Sequence, residues 1–223
     1  MSTFRPGAPL VRLAVLTVTA ALLVVMGFVA GAVWQGRGPD SPSMSVSDIG
    51  FAQDMSTHHD QAILMSRTIG ALPGVSPPVR GLADRIVYTQ TAETATMRGW
   101  LQFFDQPMTP ADPMSWMPDG DTHGDSHRGG GPDEADPPMP GMASVDEIGR
   151  LSSLPPAEAE ILFLQLMIRH HRGGMEMAQA AYNDARTRST TKDLALMMIG
   201  DQGDEIGQMT MLLNERGAEP LPT

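Results

Sequence analysis

Two adjacent histidine pairs carry the chemistry this chain could do: His58-His59 in FAQDMSTHHDQAILM and His170-His171 in FLQLMIRHHRGGMEM. Each sits among methionines, Met55 and Met65 in the first stretch and Met167, Met175 and Met177 in the second. Imidazole nitrogen together with thioether sulfur suits a soft metal, copper and above all Cu(I). The two stretches are one stretch repeated. A shift of 112 residues lays Phe51, Gln53, Met55, His58, His59 and Met65 on Phe163, Gln165, Met167, His170, His171 and Met177. Without a gap it lays Leu82, Ala83, Gln90, Glu93, Met97 and Leu101 on Leu194, Ala195, Gln202, Glu205, Met209 and Leu213. General apolarity would not hold His-His, Gln, Glu and Met in register, so the chain contains an internal duplication.

Other metals fit less well. There is no cysteine, which removes thiolate zinc sites and disulfides. Calcium and magnesium need several oxygen ligands, and the repeats offer few. Di-iron bundles use Glu-x-x-His, but neither Glu93 nor Glu205 is followed by His three residues later. The candidate ligands are therefore His58, His59, His170, His171, Met55, Met65, Met167, Met175 and Met177. Glu93 and Glu205 complete or orient the set, with Gln90, Gln202, Met97 and Met209 in support. Nothing in the pattern marks catalytic residues. The formal charge of −11 excludes a nucleic-acid footprint and is compatible with attracting cations.

Helices must position these residues. In the first helix Phe51, Met55, His58, Ala62, Met65 and Ile69 recur at alternating steps of four and three. Phe163, Met167, His170, Gly174, Met177 and Ala181 repeat that stripe in the third helix. The second carries Ile86, Gln90, Glu93, Met97, Trp100 and Phe104, and the fourth Met198, Gln202, Glu205, Met209 and Leu212. No alternation of period two suggests a sheet. The expected fold is all-α, a four-helix bundle made of two repeated helical hairpins. Adjacent residues on a helix point about 100° apart. With His58 and His170 on the stripe, His59 and His171 are expected at the flank, partly exposed, forming a second Met/His site or orienting the first. A metal-free alternative pairs each Glu with a His across the bundle.

Before the repeats, Leu13 to Trp34 is 22 residues without a charge, the length of a membrane-spanning helix. Arg5 and Arg12 precede it, so the remainder is expected outside the cytoplasm. Cleavage as a signal peptide at Ala30-Gly31-Ala32 is the competing reading. The expected organisation is a cytoplasmic N-terminus (1–12), an anchor or signal segment (13–34), a linker (35–46), the first hairpin (47–105), a connection (106–147), the second hairpin (148–217) and a tail (218–223). The connection holds Met108, Met114, Met117, Met139, Met142, His123 and His127 among Gly, Pro and Asp. It is expected to be largely disordered.

The doubled His-His motif, the Q-x-x-E-x-x-x-M that follows it and the inter-repeat PMPGMAS resemble the bacterial family called domain of unknown function 305, over roughly residues 45 to 215. That resemblance implies an exported, ferritin-like bundle of two hairpin repeats, with some members similar to periplasmic copper-binding proteins. One departure lies in the first copy, where Asp60-Gln61-Ala62 stands against Arg172-Gly173-Gly174 and could make the halves unequal. The leading reading is a membrane-anchored, extracytoplasmic protein that sequesters or hands on Cu(I). A metal-dependent oxidoreductase and a metal-free interaction domain are the alternatives.

Overall fold

The computed structural model describes residues 8–35, 43–117 and 138–221, with side chains in the first segment for 15–29 and 31. His123 and His127 lie outside the described residues. Among those described there are six helices and no strand: α1 (Ala8–Gln35), α2 (Val46–Ala71), α3 (Pro77–Phe103), α4 (Val145–Ser153), α5 (Pro156–Asn183) and α6 (Ser189–Asn214). The chain divides into two compact units, Met1–Ser43 and Met44–Thr223.

In the first unit α1 exposes the apolar side chains described for it, from Val15 to Val29. Among the described residues no helix is long and apolar enough to cross a membrane. The transmembrane expectation for 13–34 is thus not carried by this structure.

In the second unit, α2 and α3 form one hairpin and α5 and α6 the other, with α2 packed on α5. Local chemistry sets the helix starts. Ser45 and Asp48 exchange hydrogen bonds as a capping box before α2, and Pro77 at the first turn of α3 follows the N-cap Ser76. The short α4 was not foreseen from the sequence, although its own capping box, Ser144 with Glu147, is visible there.

The duplication is a spatial one. The Gln53 amide donates to the Pro107 carbonyl at 2.6 Å, and Gln165 donates to Glu219 at 2.7 Å, the same bond shifted by 112 residues. Asp48 accepts from the Arg188 backbone N–H at 3.0 Å, and Glu160 from that of Ser76 at 2.5 Å. These again differ by 112, and each ties the start of one hairpin's second helix to the other hairpin. The pairs define a pseudo-twofold between the copies.

The core consists of two apolar clusters. One holds Ile69, Leu82, Ile86, Leu164 and Leu166 with Met65, Met167 and Met209. The other holds Phe51, Met55, Met97, Met177 and Met198, joined by Met114, Trp116 and Met139 from the connection. The sequence suggested a largely disordered connection; its residues 118–137 lie outside the described residues, while Met114, Trp116 and Met139 are buried on the bundle. The buried Asp54 carboxylate accepts from both Trp116 Nε1 and Met114 N at 2.8 Å. Trp116 stacks edge-on against Phe51, with ring centroids 5.7 Å apart. Bulk so close to α2 requires a glycine: a Cβ on Gly50 would lie 2.4 Å from the Trp116 ring. Gly and Pro composition undercounted these anchors because each is a single side chain on the bundle, not a property of the segment.

Candidate metal centre

Between the two clusters runs a belt of buried polar side chains: His58, His59, Gln90, Glu93, Thr94, His170, His171, Gln202 and Glu205. Burying such groups costs stability unless they are hydrogen-bonded or coordinated.

His58 and His170 meet at the bundle centre, where α2 crosses α5. Their rings lie face to face, centroids 3.7 Å apart and planes tilted by 33°. His58 Nε2 is 3.0 Å from the Pro140 carbonyl. A carbonyl only accepts, so Nε2 carries the hydrogen and Nδ1 is left as a bare lone pair. His58 Nδ1 and both ring nitrogens of His170 have no hydrogen-bond partner. Burial, reinforced by His59, pushes the His58 imidazole down to about 3, and burial with the neighbouring His58 holds His170 well below the usual histidine range. Both are therefore neutral at ordinary pH, the state in which imidazole binds metal.

His59 and His171 do not lie at a partly exposed flank. Each is fully buried and bonds the glutamate of its own hairpin: His59 Nε2 to Glu93 Oε2 at 2.8 Å, and His171 Nε2 to Glu205 Oε2 at 2.7 Å. The expected pairing of Glu with His across the bundle is replaced by pairing within each hairpin. The reason is the 100° between adjacent helical residues. One histidine of each pair faces the opposite hairpin, and the next faces its own second helix, which also excludes water. Both Nδ1 atoms remain without a partner. A carboxylate fixing one ring nitrogen while the other stays free is the usual arrangement around a metal-binding histidine.

The other candidates divide among the layers. Met55, Met97 and Met177 are fully buried in one cluster, Met65, Met167 and Met209 in the other. Met175 is partly exposed, its methyl group near Gly203 of α6. Gln202 stands beside the His58 ring, because a Cβ at residue 174 would lie 2.6 Å from its Oε1 and 3.2 Å from His58 Cε1. Neither polar atom of the Gln202 amide is bonded, nor is Gln90 Oε1. Among the described residues no three His, Asp or Glu side chains are gathered into a metal-holding group. A metal site in this belt would have to draw on methionine sulfur or the glutamine amides as well.

The strap of residues 138–143 was missed as part of the centre. Pro140 bonds His58, and the Gln61 amide clamps Ala143, donating to its carbonyl at 2.9 Å and accepting from its N–H at 2.7 Å. On α5 the strap lies so close that a Cβ on Gly173 would sit 2.0 Å from the Pro140 carbonyl oxygen. Gly141 turns beneath Arg169 and His170 with φ +74°, the left-handed region open to glycine. The signal was present in the sequence, since Gln61 against Gly173 is where the copies diverge.

Fold and belt together define a duplicated helical-hairpin bundle with a buried polar belt between two methionine-bearing apolar clusters. The chain belongs to the family described as Domain of unknown function (DUF305), whose profile matches residues 48–213. It is similar to a family member from Streptomyces coelicolor, provisionally named as secreted, at 37% identity and TM-score 0.67, over 79% of this chain and 96% of that one. A Deinococcus radiodurans fragment of the family is 29% identical with TM-score 0.61, covering 78% and 99%. CopM in its Cu(II)-bound form is 25% identical with TM-score 0.54, covering 75% and 96%. No curated protein matches the chain significantly.

Proposed function

We propose that this protein binds copper outside the cytoplasm, sequestering Cu(I) or passing it on, and that the buried belt is its site. The observation carrying this reading is the His58–His170 pair: two fully buried, neutral imidazoles with three unpartnered nitrogens at the centre of the bundle. A purely structural network would satisfy those atoms, because each one left bare costs stability. A bound cation with soft character would satisfy them instead, with buried methionines on both sides of the belt. Copper bound to the relative CopM supports the choice of metal. Candidate ligands are His58, His59, His170, His171, Met55, Met65, Met167, Met175 and Met177, with Glu93 and Glu205 orienting His59 and His171. Export is supported by the uncharged run from Leu13 to Trp34 and by the relative named as secreted. Fractionation of the host envelope would distinguish a retained anchor from a released form.

The test is a Cu(I) titration of the full chain against a competing chelator, beside a variant with all four motif histidines changed to Ala. Tight binding that disappears in the variant is expected. Equal affinity in the two proteins would sink the reading.

A further inference from the structure

Gln202 is buried, 3% exposed, and neither the oxygen nor the nitrogen of its amide has a hydrogen-bond partner. A glutamine amide carries both donors and an acceptor, so burying it idle costs stability on both counts. Its surroundings are idle too. His58 Nδ1 and both ring nitrogens of His170 are buried without a partner, on rings whose centroids lie 3.7 Å apart.

Gly174 gives the amide room beside this pair. The position a Cβ would take on residue 174 lies 2.6 Å from Gln202 Oε1 and 3.2 Å from His58 Cε1. The amide oxygen and the edge of the ring therefore border one spot, which a side chain on residue 174 would fill. Cε1 is flanked by both ring nitrogens, of which Nε2 is bonded to Pro140 and Nδ1 is bare. The 112-residue register sets Gly174 against Ala62 and Gln202 against Gln90. Ala62 is fully buried and carries the methyl group that Gly174 lacks. The room beside the central histidines is thus a property of the second copy.

We infer that Gln202 is an oxygen ligand of the His58–His170 centre and that it enables this centre to hold Cu(II) as well as Cu(I). Imidazole nitrogen with amide oxygen is a donor set that suits Cu(II), whereas thioether sulfur favours Cu(I). The terminal torsion of glutamine is soft, so the amide turns its oxygen toward an ion without moving α6. The buried carboxylates of the belt, Glu93 and Glu205, supply negative charge to offset that of the ion. This inference rests on the copper-binding reading and adds to it one ligand and one oxidation state. Binding forms only dative bonds, so each ion keeps the oxidation state in which it arrives.

The full chain is titrated with Cu(II), and separately without oxygen with Cu(I), each against a competing chelator of that ion. Gln202→Met replaces the amide by a thioether of similar length and is expected to weaken Cu(II) binding about tenfold or more, leaving Cu(I) within about threefold. Gly174→Ala copies the first hairpin. Its Cβ meets the movable end of Gln202, and it should weaken Cu(II) in the same direction by a smaller factor. Gln90→Met is the control at the equivalent position and should change neither affinity. The Cu(II) electron paramagnetic resonance spectrum should change in Gln202→Met and not in Gln90→Met, and thermal melts confirm that each variant folds. Cu(II) affinity unaltered by Gln202→Met, equal losses of Cu(I) and Cu(II), or an equal loss from Gln90→Met overturns the assignment of Gln202. So does an unaltered chain that binds Cu(I) but not Cu(II), a result that leaves the copper-binding reading standing. Failure of the unaltered chain to bind either ion overturns that reading, and this one with it.

Discussion

The two hairpins are alike in how each glutamate holds a histidine and unlike where Met114, Trp116 and residues 140–143 of the connection touch them. The His–Glu bonds differ by 0.1 Å between copies, 2.8 against 2.7 Å. The glutamine bonds repeat as closely, 2.6 against 2.7 Å, and the carboxylate latches join equivalent positions at 3.0 and 2.5 Å. Against this, Asp54 in the first copy holds Trp116 and Met114, while its mate Leu166 is fully buried in aliphatic core. Gln61 grips the strap, while its mate Gly173 only makes room for it. A duplicated scaffold can accept one connection only on one side. The difference teaches that the belt is symmetric in its histidines and glutamates and asymmetric in cover: His58 is tethered to Pro140, and His170 is not.

The largest effect expected on this comparison is acid instability of the metal-free protein. His58 and His170 bind a proton more weakly folded than unfolded. Below the ordinary value of 6.5 the unfolded chain therefore holds more protons, and stability falls with pH down to about 3. Going from pH 6.5 to 4.5 should cost about 2–3 kcal/mol for His58, with a further loss of the same sign from His170. Urea midpoints across that range check this, and His170→Gln should flatten the slope. An unchanged slope would mean that the central pair is not kept neutral by burial.

Next comes the swap at the Asp54 position. Leu166→Asp places a carboxylate in the aliphatic cluster without the indole and amide donors that Asp54 has, and should cost about 3–5 kcal/mol or prevent folding. The reverse swap, Asp54→Leu, leaves two buried N–H groups unpaired and should cost about 2–3 kcal/mol, with a red shift of Trp116 emission as the arm loosens. Comparable losses from the two swaps would mean that the connection does not distinguish the copies.

A smaller effect is expected at the strap. Gly173→Ala drives a Cβ into the Pro140 carbonyl and should cost about 1–3 kcal/mol, displacing the strap from His58. NMR of the His58 ring would detect the lost Nε2 hydrogen bond. Gln61→Ala removes two bonds to Ala143 and should cost about 1–2 kcal/mol. Gln165→Ala, which frees only an exposed amide bond to Glu219, should cost less than Gln53→Ala, whose amide is buried.

Much of this was legible from residue types. The 112-residue register predicted the helical repeats because a period of 3.6 shows directly in the stripe Phe51, Met55, His58, Ala62, Met65. The histidines, glutamates and glutamines of the belt were named by the same identities. Their partners were not. Whether His59 meets solvent, a methionine or Glu93 depends on which neighbour lies 100° around α2, and a helical period does not contain that angle's occupant. The strap was hidden for a different reason. Residues 138–143 have no period, and their placement follows from Gln61, Gly173 and Gly141, which are far apart in the chain.

The sequence by itself determined that this chain is a duplicated all-helical protein with two His-His pairs set among methionines, because repetition and helical spacing are local properties of the string. Only the tertiary structure decided that His58 stacks on His170, that Glu93 and Glu205 each serve the histidine of their own hairpin, and that one connection covers one copy. Those outcomes depend on which faces pack together, and packing is settled by contacts across the whole bundle rather than along any one helix.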